Sequence, residues 1–548
     1  MAPRCKVRRF GATWRSTASS RSLISHHPDA GSSRGPRISG IGLGRNLVYS
    51  ALSQVWSLAV VIITVPIVVH ALGTQAYGLY VLATLLLGYT AFLDLGLTPA
   101  VVRSLATHHL AGDDSALEAL IGTALTLLLG LGLIGGIIIA LLTPQLSQHW
   151  LRVPQRLQSD AAFVLYLSAV GFALNMCLTV FGAIPQGLQR LDLFAMRSLV
   201  LTTVTGVAQI TIVMLGGGLR WLAGVTVAIN VASLVIFVLV ARRLLPGVSL
   251  LPRFNQWASR ELLSFGALRF VNQLAGQVVF QLDRLIVAAL VSIAAVTFYS
   301  VPLSIAQRFV IVQAIFATAF FPAASELHAL ADRARLRAAY LASMKLVLAM
   351  VVPMAILVAT FSHPLLKAWL GNSFADASAG ILAVLAVAYG LAQVMGVPTL
   401  AADATGHVRW SAGFAIVSAA INLSLTIILV PRLGAIGAAY ALLINAATQG
   451  PVFVYIVQRR FVQVPLLAML RAAVIRPVLA GLVLLGYAAL VVPRVHRLLT
   501  VLLALLIGGA LYLGLTAVLG VWDARELAVA RALAAGGRAR LLGVLRLA

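Results

Sequence analysis

The chain has little acid, little cysteine and little charge of any kind. Asp and Glu number 15 in 548 residues, and charged residues make up 10% of the whole. A soluble globular domain carries about 25%, so composition excludes that class. The two cysteines are Cys5, in a basic stretch, and Cys177, in an apolar run. They make neither a metal spacing nor a ready disulfide and read as free thiols. No Ser/His/Asp arrangement, phosphate-binding glycine loop or metal-ligand cluster stands in a polar segment. Those segments are also too short for a catalytic or ATP-hydrolysing domain. The expectation is a protein that is not an enzyme, with no metal and no cofactor. Residues 1–44 lack an apolar run long enough for a signal-peptide core. They read as a basic, disordered cytoplasmic arm, with an organellar transit peptide as the alternative.

Apolar residues are what the chain does have, at 61%. A membrane-spanning helix needs about 20 of them in a row. Windows of that kind fall at roughly 46–70, 77–101, 117–142, 161–184, 194–216, 220–241, 262–290, 296–322, 338–362, 378–402, 409–431, 434–457, 470–492 and 497–521. The predicted fold is therefore an all-α polytopic membrane protein of about 14 spans. A net charge of +25 would point to nucleic acid in a soluble protein. Here the loops explain it: with the N-terminus inside, 29 Lys and Arg fall on the cytoplasmic side and 7 on the other. That bias follows the positive-inside rule with both termini cytoplasmic, and no nucleic-acid partner is expected.

Landmarks recur along the chain. Gly187-Leu188-Gln189-Arg190 is answered by Gly406-His407-Val408-Arg409, Gln54 by Gln277, Pro99 by Pro322 and Asn230 by Asn445. The near-constant offset predicts two parallel six-helix repeats, a known transporter plan with the substrate site between them. The expected domains are a first half at 45–245, a second at 260–460, two appended helices within 470–522, and a basic tail at 523–548.

Within Leu262 to Pro322, two apolar helices carry polar stripes. Arg269, Asn272, Gln273, Gln277, Asp283 and Arg284 fall within roughly 140° on a helical wheel; Ser304 and Arg308 share a face of the next span. Ionisable groups at membrane depth are costly and line cavities or pair with each other. Three Arg against one Asp predict a cavity that attracts anions. Asp283 has a second reading, a helix lock onto Arg308 or Arg269. Arg269 and Lys345 also have one, snorkelling to the cytoplasmic surface. Span one offers an uncharged stripe that includes Gln54 and Ser57. Asp94 and Arg103, at the end of span two, read as gating or helix-pairing residues. His108-His109 and Asp113-Asp114 read as a solvated turn.

Several short segments together resemble one family. They are Ala71-Leu72-Gly73, Tyr77-Gly78-Leu79-Tyr80, Leu93-Asp94-Leu95-Gly96-Leu97 with Arg103, Gly187 to Arg190, Gln281 to Ile286, and Phe298-Tyr299-Ser300. In this order and spacing, over about residues 45–460, the chain resembles polysaccharide transporters of the multidrug, oligosaccharidyl-lipid and polysaccharide exporter superfamily. It departs at Val291-Ser292, where members often carry Leu-Gly. The resemblance implies an O-antigen-type flippase moving undecaprenyl-pyrophosphate-linked oligosaccharide across the bacterial inner membrane by alternating access. It also implies lipid-linked oligosaccharide and membrane lipid as partners, with a polysaccharide polymerase and chain-length protein beside them. In this reading Arg269, Arg284 and Arg308 take the pyrophosphate, while Asn272, Gln273, Gln277, Ser304, Gln54 and Ser57 take sugar hydroxyls. A cation-coupled drug exporter of the same fold and a flippase for the peptidoglycan lipid precursor are the competing readings. A membrane-embedded polymerase or ligase would call for a larger extramembrane loop than 143–160, the longest candidate here.

Overall fold

The computed structural model describes residues 40–522 except 89, 91–93, 95, 152 and 189. For 40–55, 191–192, 194–195, 265–280, 315 and 318–319 it describes the backbone alone. The described residues from Tyr49 onward form one compact unit, and the helical backbone of Gly40–Val48 belongs to a second.

Every regular element among the described residues is helical, as hydrocarbon requires of a spanning backbone that must satisfy its own hydrogen bonds. The order is α1 (Gly40–Gly88), α2 (Leu97–Ala111), α3 (Asp114–Gln145), α4 (Gln158–Gly187), α5 (Leu191–Met214) and α6 (Leu219–Leu244). Then come α7 (Gln256–Leu290), α8 (Ile293–Ala306), α9 (Val310–Ala329), α10 (Arg333–Thr360), α11 (Ser362–Leu370) and α12 (Asn372–Val394). The chain closes with α13 (Gly396–Ala404), α14 (Val408–Leu433), α15 (Ala435–Val457), α16 (Ile475–Val491) and α17 (Leu498–Val518). Twelve helices among the described residues are long and apolar enough to cross a membrane, so the exact count of fourteen is not confirmed. One source of the difference is α1, which counts once although Gly73 (φ 77°, ψ 164°) breaks it. Only a residue without Cβ adopts that conformation at no cost. Another is α7, whose middle side chains lie outside the described residues.

Pro99 and Pro322, the repeat landmarks near the ends of the second and eighth windows, lie in the first turn of α2 and inside α9. A first-turn proline removes an N–H that has no helical partner anyway. The described breaks are at Gly96, left-handed (φ 73°) just before α2, and at the 3₁₀ turn Gln307–Phe309 between α8 and α9. At the Val291-Ser292 departure, Ser292 accepts a hydrogen bond from Ala295 N–H at 3.1 Å and caps α8.

Three of five buried clusters among the described residues organise the two halves of the bundle. One is built from residues between Leu97 and Leu262 and a second from residues between Val312 and Ala473. The third draws on both sets of helices: Val68, Leu79 and Leu82 pack with Val296, Leu303 and Leu385. Sequence order puts this shared core at the end marked by Gly73 and Ser292, and the two separate cores at the end marked by Gly112 and Ala331. The described helices therefore converge at the Gly73 end. The start of α7 is stitched to the first set: Thr123 Oγ1 accepts from Asn255 N–H at 3.0 Å, and Ser104 Oγ donates to Glu261 Oε1 at 2.7 Å. The other end of α7 buries Val287 and Ala288 in the shared core.

The turn at Gly112 supplies a pH test. Asp113 caps α3, and hydrogen bonds, first from Ala116 N–H and then from Ser115, hold its carboxyl below the usual carboxylate range. A carboxyl lowered in the folded state stabilises above its unfolded pKa and loses that effect as pH falls through the folded one. Asp113→Ala should lower the melting temperature at neutral pH, as loss of a cap does. The gap from wild type should shrink as the pH is brought below the carboxylate range. A gap independent of pH would show that the charge contributes nothing.

Candidate functional site

The centre of the candidate site is the last third of α7, where an apolar helix carries Asp283 and Arg284 side by side. Asp283 is 3% exposed. Its carboxylate accepts from Tyr299 Oη at 3.0 Å and from Thr426 Oγ1 at 3.2 Å, with Asn422 also bonded to it. These partners come from α8 and α14, so the acid ties three helices together. It does so through hydroxyls and an amide, where the sequence suggested Arg308 or Arg269. An ionised carboxylate buried this deeply needs such donors to offset its lost hydration.

Arg284, on the adjacent position, is only partly buried, but its Nε is cut off from solvent and has no hydrogen-bond partner. Its charge acts on the Tyr77, Tyr299 and Tyr389 side chains, which come from α1, α8 and α12. It therefore stands beside the shared core, to which α1, α8 and α12 all contribute. Arg308 is half-buried on the 3₁₀ turn between α8 and α9. Ser304, one turn before, is half-buried and donates to the Val301 carbonyl at 2.7 Å. Both follow Tyr299 in the chain, beside Leu303, Ala306 and Phe309 of the shared core. Arg269, Asn272, Gln273, Gln277 and Gln54 have side chains outside the described residues; Ser57 is half-buried on α1.

At the shared end the helices touch backbone to backbone. A Cβ built on Gly78 would clash with the Ile293 carbonyl and lie 2.9 Å from Thr297 Oγ1. Thr297 Oγ1 donates to the Thr74 carbonyl at 2.6 Å, and Trp369 Nε1 donates to the Ile62 carbonyl at 2.7 Å. This seam closes α1 against α8 and α11.

Asp94 is 5% exposed and accepts from both Thr98 N–H (3.0 Å) and Thr98 Oγ1 (2.8 Å). It thus fastens the first turn of α2. Arg103, farther along α2, is exposed and has a polar or charged partner. Lys345 does not snorkel: it is 8% exposed, lies well inside α10 and has a partner. His108 is not a free turn residue, because its Nε2 lies 3.6 Å from Glu261 Oε1 and its ring meets Trp257 edge-on.

Five polar residues at this site were not among the expected site residues: Tyr77, Tyr299, Tyr389, Asn422 and Thr426. Tyrosine in an apolar run reads as core, so only its neighbours identify it. The pair Asn422 and Thr426 did carry a signal, since polar residues four apart share one face of an otherwise apolar helix.

A family model described as polysaccharide biosynthesis protein matches residues 67–379. A Shigella flexneri protein named as a candidate O-antigen transporter is 23% identical over 397 residues, covering 72% of this chain and 93% of that one. Among solved structures, lipid II flippase MurJ in an inward closed conformation superposes with a TM-score of 0.65 at 15% identity, over 86% of this chain and 98% of that one. An inward-facing multidrug resistance MATE transporter of the MOP superfamily gives 0.57 at 16% identity, over 76% and 94%. The last two are likenesses of fold.

Proposed function

Because this chain belongs to the polysaccharide biosynthesis protein family, we propose that it is a flippase for undecaprenyl-pyrophosphate-linked oligosaccharide. The cargo would be a repeat unit of O-antigen, capsule or exopolysaccharide, and the membrane the bacterial inner membrane. The observation that carries this reading is Arg284: a guanidinium within an apolar bundle, one nitrogen dry and unpartnered, beside the core that the two sets of helices share. A pyrophosphate cannot cross hydrocarbon unaided, because stripping water from an ionised group costs several kcal/mol or more. Arginine keeps its charge and offers phosphate a planar fork. Arg284 and Arg308, with Arg269, would receive the pyrophosphate. Ser57, Ser304, Gln54, Asn272, Gln273 and Gln277 would face the sugar, and the lipid tail would stay in the bilayer.

The separate cores support a first half at 45–245 and a second at 260–460, rocking about the site by alternating access. The two helices of 470–522 would be appended to the second. The arginine-rich loops support both termini, with the tail at 523–548, in the cytoplasm; the closed Gly73 seam then faces outward. Asp94 and Asp283 would hold helices in place and Arg103 would serve the cytoplasmic gate. A polysaccharide polymerase and a chain-length protein would take the product. Nothing in this scheme calls for catalysis by the chain. Drug export coupled to a cation is disfavoured, because Asp283 is committed to three neutral donors. A peptidoglycan lipid precursor carries the same pyrophosphate, and the assay below separates the two cargoes.

With the interior negative, outward movement of an anion is favoured by about 2.3 kcal/mol per charge per 100 mV. In sealed vesicles holding the purified protein, transfer of the oligosaccharide lipid should slow when the electrical gradient alone is collapsed. An unchanged rate would rule that drive out. Transfer of the peptidoglycan precursor in preference to the oligosaccharide lipid would overturn the cargo.

A further inference from the structure

Arginines gather at the link between α15 and α16, away from the site above. No Asp or Glu occurs in the sequence between Asp403 and Asp523, while Arg409, Arg459, Arg460, Arg471 and Arg476 do. The link runs through two wide π turns, Gln458–Val462 and Leu470–Val474, parted by left-handed Gln463 (φ 58°) and Pro465. The start of α10 holds it in place. Arg337 Nε donates to the Val462 carbonyl at 3.2 Å, and Arg337 Nη2 and Arg333 Nη1 donate to Gln463 Oε1 at 3.1 and 3.3 Å. Val462, Val464 and Met469 fill the second core beneath. That anchoring leaves Leu466 and Leu467 on the outside, 47% and 57% exposed. Arg459, Arg460 and Arg471 flank them in the chain and are exposed as well. Arg459 Nη1 donates to Tyr455 Oη at 2.6 Å, and the Arg460 guanidinium carbon lies 5.2 Å from the Trp410 ring centroid. Both rings are themselves exposed. The acids on α10 and α13, which pack against the link, are already engaged: Asp332 with Arg335 and Asp403 with Ser411.

A loop that meets only water has no reason to present paired leucines. One lying in the plane of a membrane surface does, because the leucines enter the acyl boundary while the cations stay among the headgroups. Trp and Tyr favour the same level, where an apolar ring and a polar tip are both satisfied. An arginine there offers a planar fork to phosphate oxygens. We propose that the link between α15 and α16 is a docking surface for anionic phospholipid. Leu466 and Leu467 meet the first methylenes of the acyl chains. Arg459 and Arg460, steadied by Tyr455 and Trp410, take the headgroup phosphate, and Arg471, four residues beyond Leu467, adds charge on the same face. A soluble anion would use the arginines and leave the leucines in water, so the partner is a lipid. The surface lies at the end of the bundle opposite the Gly73 seam, since Arg333 and Arg337 follow closely on Ala331. A lipid bound here is coupled through the link to α15 and α16, and through Arg337 to α10. Nothing in this contact depends on which cargo the chain carries.

The test is native mass spectrometry of the detergent-solubilised full-length protein, with phosphatidylglycerol and phosphatidylcholine titrated separately. Wild type should bind phosphatidylglycerol more tightly than phosphatidylcholine. Arg459→Gln with Arg460→Gln should weaken phosphatidylglycerol about twentyfold, at roughly fivefold per arginine beside the headgroup layer, and leave phosphatidylcholine unchanged. The lipid-free melting temperature should stay at the wild-type value, because both side chains are exposed. Leu466→Ser with Leu467→Ser should weaken both lipids alike. Arg432→Gln, at an exposed arginine of the Gly73 end, is the control and should change neither. Should the double arginine variant fail to accumulate, each single variant carries the test at about fivefold. Equal affinity of wild type for the two lipids overturns the proposal, as does undiminished phosphatidylglycerol binding in the arginine variants or an equal loss in Arg432→Gln. Two anions without acyl chains complete the experiment. Full displacement of phosphatidylglycerol by glycerol phosphate would make this a site for free phosphate, and by polyglutamate a site for an acidic protein segment; either result also overturns it.

Discussion

Arg284→Ala is expected to abolish export of surface polysaccharide while the protein still inserts and accumulates. The size of the effect follows from where the charge stands. Arg284 Nε is already dry, so the cost of holding this cation is met during folding and its attraction for an arriving phosphate is little screened. Truncating one partner of a buried, hydrogen-bonded charge pair costs about 2–5 kcal/mol, much of it from the charge left unpaired. Here the group left unpaired would be the substrate's pyrophosphate in a low-dielectric bundle. A loss of roughly a hundredfold in transfer rate is the corresponding expectation. Arg284→Lys separates field from geometry: it keeps the charge, loses the planar fork, and should retain a fraction of the rate. Arg308→Ala should act in the same direction and more weakly, since no Arg308 atom is both dry and unpartnered. Quantitative blotting of membranes with staining of surface polysaccharide checks both halves of the expectation. Full polysaccharide in an Arg284→Ala, Arg308→Ala strain would reject the anionic cavity.

Much of this fold was legible because hydrocarbon enforces a one-dimensional code. An apolar run of sufficient length must become a helix, and twelve such helices stand where the windows predicted helix. Breaks within a span were not legible. Pro99 sits in a first turn, where the missing N–H has no partner, and Pro322 lies inside α9, so neither marks a break; the described breaks fall at left-handed Gly96 and at the 3₁₀ turn Gln307–Phe309. Among the site residues, Asp283 and Arg284 stood out because charge in an apolar run is rare. Their partners did not. Thr426 lies 143 residues from Asp283, and no local pattern records a contact made across two helices.

Replacing Gly78 by a large residue should be the most disruptive single change outside the arginines, and it acts on shape rather than charge. A Cβ at this position already meets the Ile293 carbonyl, which is backbone and cannot rotate away. Leucine would force α1 and α8 apart and break the Thr297-to-Thr74 hydrogen bond at the same crossing. Overpacking a fitted contact costs about 1–3 kcal/mol, and losing the hydrogen bond adds about 1 kcal/mol. A two-state transporter whose closed seam is destabilised by that sum shifts its population by roughly a hundredfold or more toward the state open at this end. Because each cycle must pass through the closed seam, Gly78→Leu should cut transfer by at least about tenfold. A cysteine at Thr74, in a background with Cys5 and Cys177 replaced by Ser, should then react faster with an impermeant maleimide applied outside. Thr297→Val removes the hydrogen bond without adding bulk and should change both readouts by less than about tenfold. Gly78→Ala should lie between them. The graded series separates a seam from a folding defect, because misfolding would lower protein levels instead of raising the reactivity at residue 74. Wild-type transfer and unchanged labelling in Gly78→Leu would mean that these helices are not the moving contact.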